Sequence, residues 1–313
     1  MKGDTGLSAG TQAPPGTYIT NLSYFYGSNK IKLPSGNTAT IGGDGLNLFT
    51  NLTVISRVTK KKFLGANYGV MLAIPALNTQ LELPRLNTND SSFGLSDLYV
   101  MPLQLGWRKK KADYIASFAF VAPTGRFNPG ADNNTGLGMW SYEIAGGTTF
   151  YPDKKRSWNI STLAAYEMHQ KKQGIDIKVG DILTLEGGVG KTFLKGGANV
   201  GAVYYAQWKV TADSGSDLSP LLTRFGLSNI KNRAFAIGPE LSLIVPKLEG
   251  QFNVRALKEF GNRTATQGYA VVASFTFFVD RPFKELNRKK PEPVQPTTQP
   301  SSGSTTSLSV DNR

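Results

Sequence analysis

"YAVVASFTFFV", Tyr269 to Val279, is the longest apolar run in the chain, and its length and internal order decide the fold class. A transmembrane helix needs about 20 consecutive apolar residues, and this run supplies only about half of them. Tyr269, Val271, Ala273, Phe275, Phe277 and Val279 share one face of an extended chain, with Ala270, Ser274 and Thr276 on the other. Side chains alternate across a β-strand with period two, so the run reads as a strand with an aromatic-rich apolar face.

The same alternation recurs along the 313 residues. Trp158, Ile160, Thr162, Ala164, Tyr166 and Met168 oppose Asn159, Ser161, Ala165, Glu167 and His169. Ala198, Val200, Ala202, Tyr204, Ala206, Trp208 and Val210 oppose Asn199, Gly201, Tyr205, Gln207 and Lys209. Similar strands are expected near 18–26, 46–59, 63–74, 98–107, 114–122, 139–150, 181–193, 234–245 and 251–260, about twelve in all. The connections alternate too. Short, mostly basic ones, such as "KKK" (Lys60 to Lys62), "RKKKAD" (Arg108 to Asp113) and "PDKKRS" (Pro152 to Ser157), separate longer Gly-, Asn- and Ser-rich segments. A soluble β-sandwich would also alternate, but its solvated face usually carries many charges, and here the polar face is small and neutral with isolated charges. The pattern predicts an all-β, antiparallel transmembrane β-barrel with short periplasmic turns and longer extracellular loops.

Composition narrows the chemistry. Cys is absent and there is one His, so thiolate sites, disulfides and imidazole clusters are excluded, and neither a cofactor nor a metal is expected. "LEGGVGKTF", Leu185 to Phe193, imitates a phosphate loop, yet Leu185 stands where the first Gly is required and no helical period follows. The net charge is +13, but the basic runs at Lys60, Lys109 and Lys154 sit in tight turns without interleaved stacking aromatics, which argues against nucleic acid. Met1 and Lys2 run straight into "GDTGLSAGTQAPPG" without an apolar leader, so an exported chain is expected to have lost its signal peptide.

With the apolar faces toward lipid, the alternate residues line the lumen. The expected inward charges are Arg57, Glu143, Glu167, His169, Glu186, Lys209, Glu240 and Arg255. Glu143, Glu167 and Glu186 lie on successive strands and are candidates for a lateral acidic row, balanced by Lys209 and His169. A structural salt-bridge network is favoured for these groups over direct substrate contact. A glycosidase pair or a lipid hydrolase using His169 fits less well, because an enzyme acting on lipid needs its histidine on the lipid side.

"GLSDLYVMPLQLGW" (Gly94 to Trp107), "FVAPTGRFNPG" (Phe120 to Gly130), "GLGMWSYE" (Gly136 to Glu143), "AYEMHQKKQGIDIKVGDILTLEGGVGKTF" (Ala165 to Phe193) and "VGAVYYAQWKVTADSG" (Val200 to Gly215) together resemble the outer-membrane transporter family of the meta-pathway of phenol degradation. The resemblance spans roughly residues 5 to 280. It implies a barrel distantly similar to long-chain fatty acid and aromatic hydrocarbon channels, and passage of small hydrophobic or aromatic compounds across the outer membrane of a Gram-negative bacterium. Three regions are expected: an N-terminal segment, 1–14, for which a plug inside the lumen is the less favoured alternative; the barrel, 15–280; and a disordered Pro-, Ser- and Thr-rich tail, 281–313, with a periplasmic partner or no specific role as its alternatives. The barrel is expected to be monomeric and surrounded by outer-membrane lipid. The rival expectation is a closed structural or adhesion barrel.

Overall fold

A computed structural model describes residues 2–39, 45–83, 88–131, 134–218 and 231–280. The tail, 281–313, lies outside the described residues. Twelve antiparallel strands form the wall: β1 (Gly16–Ser28), β2 (Gly45–Phe63), β3 (Ala66–Leu83), β4 (Leu98–Arg108), β5 (Ala112–Ala122), β6 (Ser141–Phe150), β7 (Trp158–His169), β8 (Ile182–Phe193), β9 (Ala198–Lys209), β10 (Arg233–Val245), β11 (Gly250–Arg263) and β12 (Tyr269–Phe278). Each pairs with its sequence neighbours, and β1 pairs with β12 as well as β2, so the sheet closes. Closure removes both open edges and satisfies the backbone without water, the condition for crossing a bilayer with strands. Outside the wall, Thr88–Leu95 extends β3 as a hairpin, and Ile31–Lys32 pairs with Ala265–Thr266.

Alternation of burial assigns the two faces. On β7, Asn159, Ser161 and His169 are buried, whereas Trp158, Ile160 and Tyr166 are exposed to the surroundings of the barrel. Cross-strand register carries this assignment around the wall. Ile144 on β6 lies opposite Tyr166 and Phe118 on the outer face and is 56% exposed. Ile144→Arg, near the middle of its strand, is expected to lower unfolding stability in bilayers by about 2–4 kcal/mol, whereas Ala145→Ser on the inner face should change it little. Urea titration in bilayers measures the difference.

Two local features depart from the sequence reading. The β2–β3 hairpin turns at Leu64 and Gly65, both in the left-handed region, not at Lys60 to Lys62. A register shift between Val58 and Lys62 keeps the lysines on the strand end, with Phe63 opposite Ala66. The inner face is also not uniformly polar. Leu22, Tyr24, Tyr26, Val203, Tyr205, Leu257 and Val272 form a buried cluster inside the barrel, with Leu46, Leu48 and Leu52 packed against it. On β2 the leucines therefore face inward, and that displaces Arg57. It pairs across the strands with Thr17 and Val70, shares the outer face with Ile55, and donates to Thr17 Oγ1 at 3.2 Å. Arg57 is not a lumen residue. Both faces of β2 contain large apolar side chains, so hydrophobicity alone did not distinguish them.

Candidate functional site

The site is the lumen together with the N-terminal segment, Lys2 to Pro15, which runs inside it. Tyr18 Oη donates to the Pro14 carbonyl at 2.6 Å, folding the chain back at the start of β1. Arg108 Nη2 then donates to the Gln12 carbonyl at 2.9 Å, and Thr11 Oγ1 donates to Asp113 Oδ2 at 3.2 Å. A cavity of about 50 Å³ bounded by Gln12, Ala13, Asn67, Gly106 and Arg108 remains at this end, room for a few waters and too little for an aromatic ring.

Farther in, the segment passes glycine-rich wall. Leu7 is 1% exposed, and its methyl carbons lie 2.7–3.1 Å from where a Cβ would stand at Gly188, Gly190 and Gly201, too close for a side chain at any of them. Asn159 Nδ2 donates to the Leu7 carbonyl at 2.5 Å and Asn199 Nδ2 to Asn159 Oδ1 at 3.1 Å. The glycines of "LEGGVGKTF" thus form a seat for a leucine from the other end of the chain. Burying such a side chain contributes about 1.5–3 kcal/mol. Leu7→Asp should therefore unseat the segment, and faster trypsin cleavage at Lys2 with unchanged barrel melting would report it.

Glu186 is 4% exposed and accepts from Gly3 N (2.6 Å), Thr5 N (3.1 Å) and Thr5 Oγ1 (2.6 Å). Glu240 and Arg255 face each other across β10 and β11, with Nε and Oε2 3.0 Å apart. Arg255 Nη1 donates to the carbonyls of Gly3 (3.0 Å) and Thr5, and Leu7 N approaches Glu240 Oε1 at 3.4 Å. Backbone of the N-terminal segment satisfies Glu186 and the Nη1 of Arg255, while Glu240 is compensated mainly by its ion contact with Arg255.

The remaining expected residues lie apart from the segment's anchor points. Glu143 and Glu167 are direct cross-strand partners on β6 and β7, and Tyr99 Oη donates to Glu143 Oε1 at 2.9 Å. Glu186 does not continue their row. Glu167 lies opposite Ile182, whereas Glu186 lies opposite Leu163 and Tyr205, farther along β8. Lys209 pairs with Asp213 at 2.7 Å and balances none of the three. His169 Nδ1 sits 2.9 Å from Ser141 Oγ, its cross-strand partner, and Nε2 lies 3.7 Å from Glu167. Among the described residues no cluster of His, Asp and Glu has the geometry to hold a metal ion.

Sequence reading missed Glu259, a densely hydrogen-bonded carboxylate of the lumen. It is 2% exposed and accepts from Tyr205 Oη, Tyr26 Oη (2.7 Å) and Gly268 N (2.8 Å), with Lys2 Nζ at 3.5 Å. Glu259 shares the parity of Arg255 on β11, so the period that placed Arg255 inside places Glu259 there too. At the mouth opposite the short turns, Asp176 is held down to about 2 by Lys171 Nζ at 2.5 Å and by hydrogen bonds from Ser216. Lys172 rests over the Phe127 ring at 5.1 Å, and burial there lowers its ammonium below the usual lysine range.

Residues 28–275 match the family described as "Putative MetA-pathway of phenol degradation". The chain belongs to that family. It is an outer-membrane β-barrel, and membership in this family supports a non-catalytic role. In fold it is similar to the crystal structure of an outer-membrane channel from Pseudomonas putida F1, with a TM-score of 0.74 at 9% identity, covering 86% of this chain and 98% of that one. The β domain of a Bordetella autotransporter is similar at a TM-score of 0.51 and 10% identity, covering 85% of this chain and 100% of that one. No curated protein matches the sequence.

Proposed function

We propose that this family member is a monomeric channel for passive uptake of small hydrophobic or aromatic compounds, closed at rest by its own N-terminal segment. The observation that carries the reading is the composition of the inner wall. Leu22, Leu46, Leu48, Leu52, Leu257 and Val272 line it beside Tyr24, Tyr26 and Tyr205, a surface over which an apolar or aromatic solute moves without losing contact. A general porin for hydrophilic solutes would present a polar interior. In this reading the short turns face the periplasm, the segment enters from that side, and Glu186, Glu240 and Arg255 act as its latch. Glu143, Glu167, His169 and Lys209 line the passage on the extracellular side of the latch. Residues 281–313 would then leave into the periplasm, within reach of a partner there.

Liposomes containing the protein test this. Uptake of an aromatic acid or alkanol is expected to exceed that of protein-free liposomes and to rise when the segment is removed. If uptake stays at the protein-free level even without residues 2–12, the barrel is a closed structural element and the channel reading is wrong.

A further inference from the structure

The rim formed by the short turns is electrically lopsided. The hairpins β2–β3, β4–β5 and β6–β7 are consecutive around the wall and cover half of its strands. They carry Lys60 to Lys62, Lys109 to Lys111, Lys154 and Lys155, all exposed. Among the described residues none of these lysines is in an ion pair. The acids nearby are already engaged: Asp113 by Arg156 at 2.6 Å, and Asp153 by the amides of Ser157 and Trp158. The other half of the rim mixes Lys191, Lys195 and Lys247 with Glu249 and Asp280.

At the same height on the basic half, Phe63, Tyr114, Phe150 and Trp158 point outward and are 43–54% exposed. Aromatic rings at strand ends mark the layer where acyl chains give way to headgroups. Lysines beside them extend their stems along the apolar wall and place their ammonium groups among headgroup phosphates. Lys191 shows this geometry, with Nζ 5.1 Å over the Trp158 ring. Eight unpaired cations in that layer need counter-charge, and a headgroup supplies it at the right depth, which a soluble acidic protein does not.

We infer that the rim of β2 to β7 is a binding surface for anionic phospholipid headgroups, phosphatidylglycerol being the probe of choice. This rests on the reading that the short turns face the phospholipid leaflet, but the lipid readout needs no transport. The purified barrel, equilibrated in phosphatidylcholine bilayers containing a minor fraction of phosphatidylglycerol, is examined by native mass spectrometry for retained lipid. Wild-type protein is expected to retain phosphatidylglycerol preferentially. Replacing Lys60 to Lys62 and Lys109 to Lys111 together by Gln should reduce that retention at least about five-fold, as loss of interfacial lysines demands. Lys247→Gln, on the other half, should leave most of it intact. Equal retention in the six-site variant, or equal loss in the control, overturns the assignment. So does tighter binding of soluble polyglutamate without any lipid preference, which would give the surface to an acidic protein. Should the six-site variant fail the heat-modifiability test for a folded barrel, wild-type retention decides: it must fall between about 0.05 M and about 0.5 M salt, and salt-independent retention sinks the proposal. Unchanged aromatic uptake by a folded six-site variant separates this surface from the channel reading.

Discussion

Removing residues 2–12 is expected to raise single-channel conductance and aromatic uptake several-fold while leaving the barrel folded. The segment contributes no strand to the wall, and the groups it satisfies, Glu186, Glu240 and Arg255, would be reached by water once it is gone. Ordering costs about 1–2 kcal/mol per residue in backbone entropy, so its few anchors hold it against a substantial opposing term. A point change should do much the same. A Cβ at Gly10 would lie 2.0 Å from the Thr148 carbonyl carbon and 2.3 Å from its oxygen, both wall backbone that cannot yield as a side-chain tip would. Gly10→Val should therefore expel the adjoining residues and reproduce part of the deletion phenotype. Planar bilayer recordings on both proteins, with heat-modifiable migration as the folding control, would settle the matter. Wild-type conductance in a folded deletion variant would mean that the segment does not obstruct the path.

The second large effect is expected at Arg255. Arg255→Ala strands the Glu240 carboxylate, 5% exposed, without its cation. Breaking a buried pair from one side costs about 3–5 kcal/mol, much of it the desolvation of the survivor. The same change deletes the donor to the carbonyls of Gly3 and Thr5, so the segment loosens at that point. Removing Glu240 as well separates the two consequences. Arg255→Ala with Glu240→Ala should recover most of the unfolding stability in urea but none of the closure, leaving a leaky and stable barrel. If the double variant is as unstable as the single one, the Arg255 contribution is packing and not charge compensation.

Period-two alternation made the wall legible, because a strand that faces lipid on one side and a lumen on the other must repeat every second residue. It placed Glu143, Glu167, His169, Glu186, Lys209, Glu240 and Arg255 on the inner face, where the register puts them. Failure came where both faces of a strand are apolar. Arg57 reads as inward because it is the lone charge amid apolar residues on a strand whose inner face holds leucines. Glu259 follows from the same rule, near a strand end. Partnership was illegible throughout. The match between Leu7 and Gly188, Gly190 and Gly201 depends on three-dimensional closure, and no local pattern in "GLSAG" or "EGGVG" announces it.

That match also fixes an order of events in biogenesis. The amide of Gly3 meets a carboxylate 183 positions later, and the Gly3 carbonyl meets a guanidinium 252 positions later, so the segment finds these partners only once distant strands are in place. Contacts this distant in sequence form only after the intervening chain is ordered. Leu7 has no seat until β8 and β9 are paired, and Arg255 is not positioned until β11 has joined the sheet. Each newly assembled molecule should therefore pass through an interval as an unstoppered pore, and cells making this protein in excess should be transiently permeable in proportion to its rate of insertion.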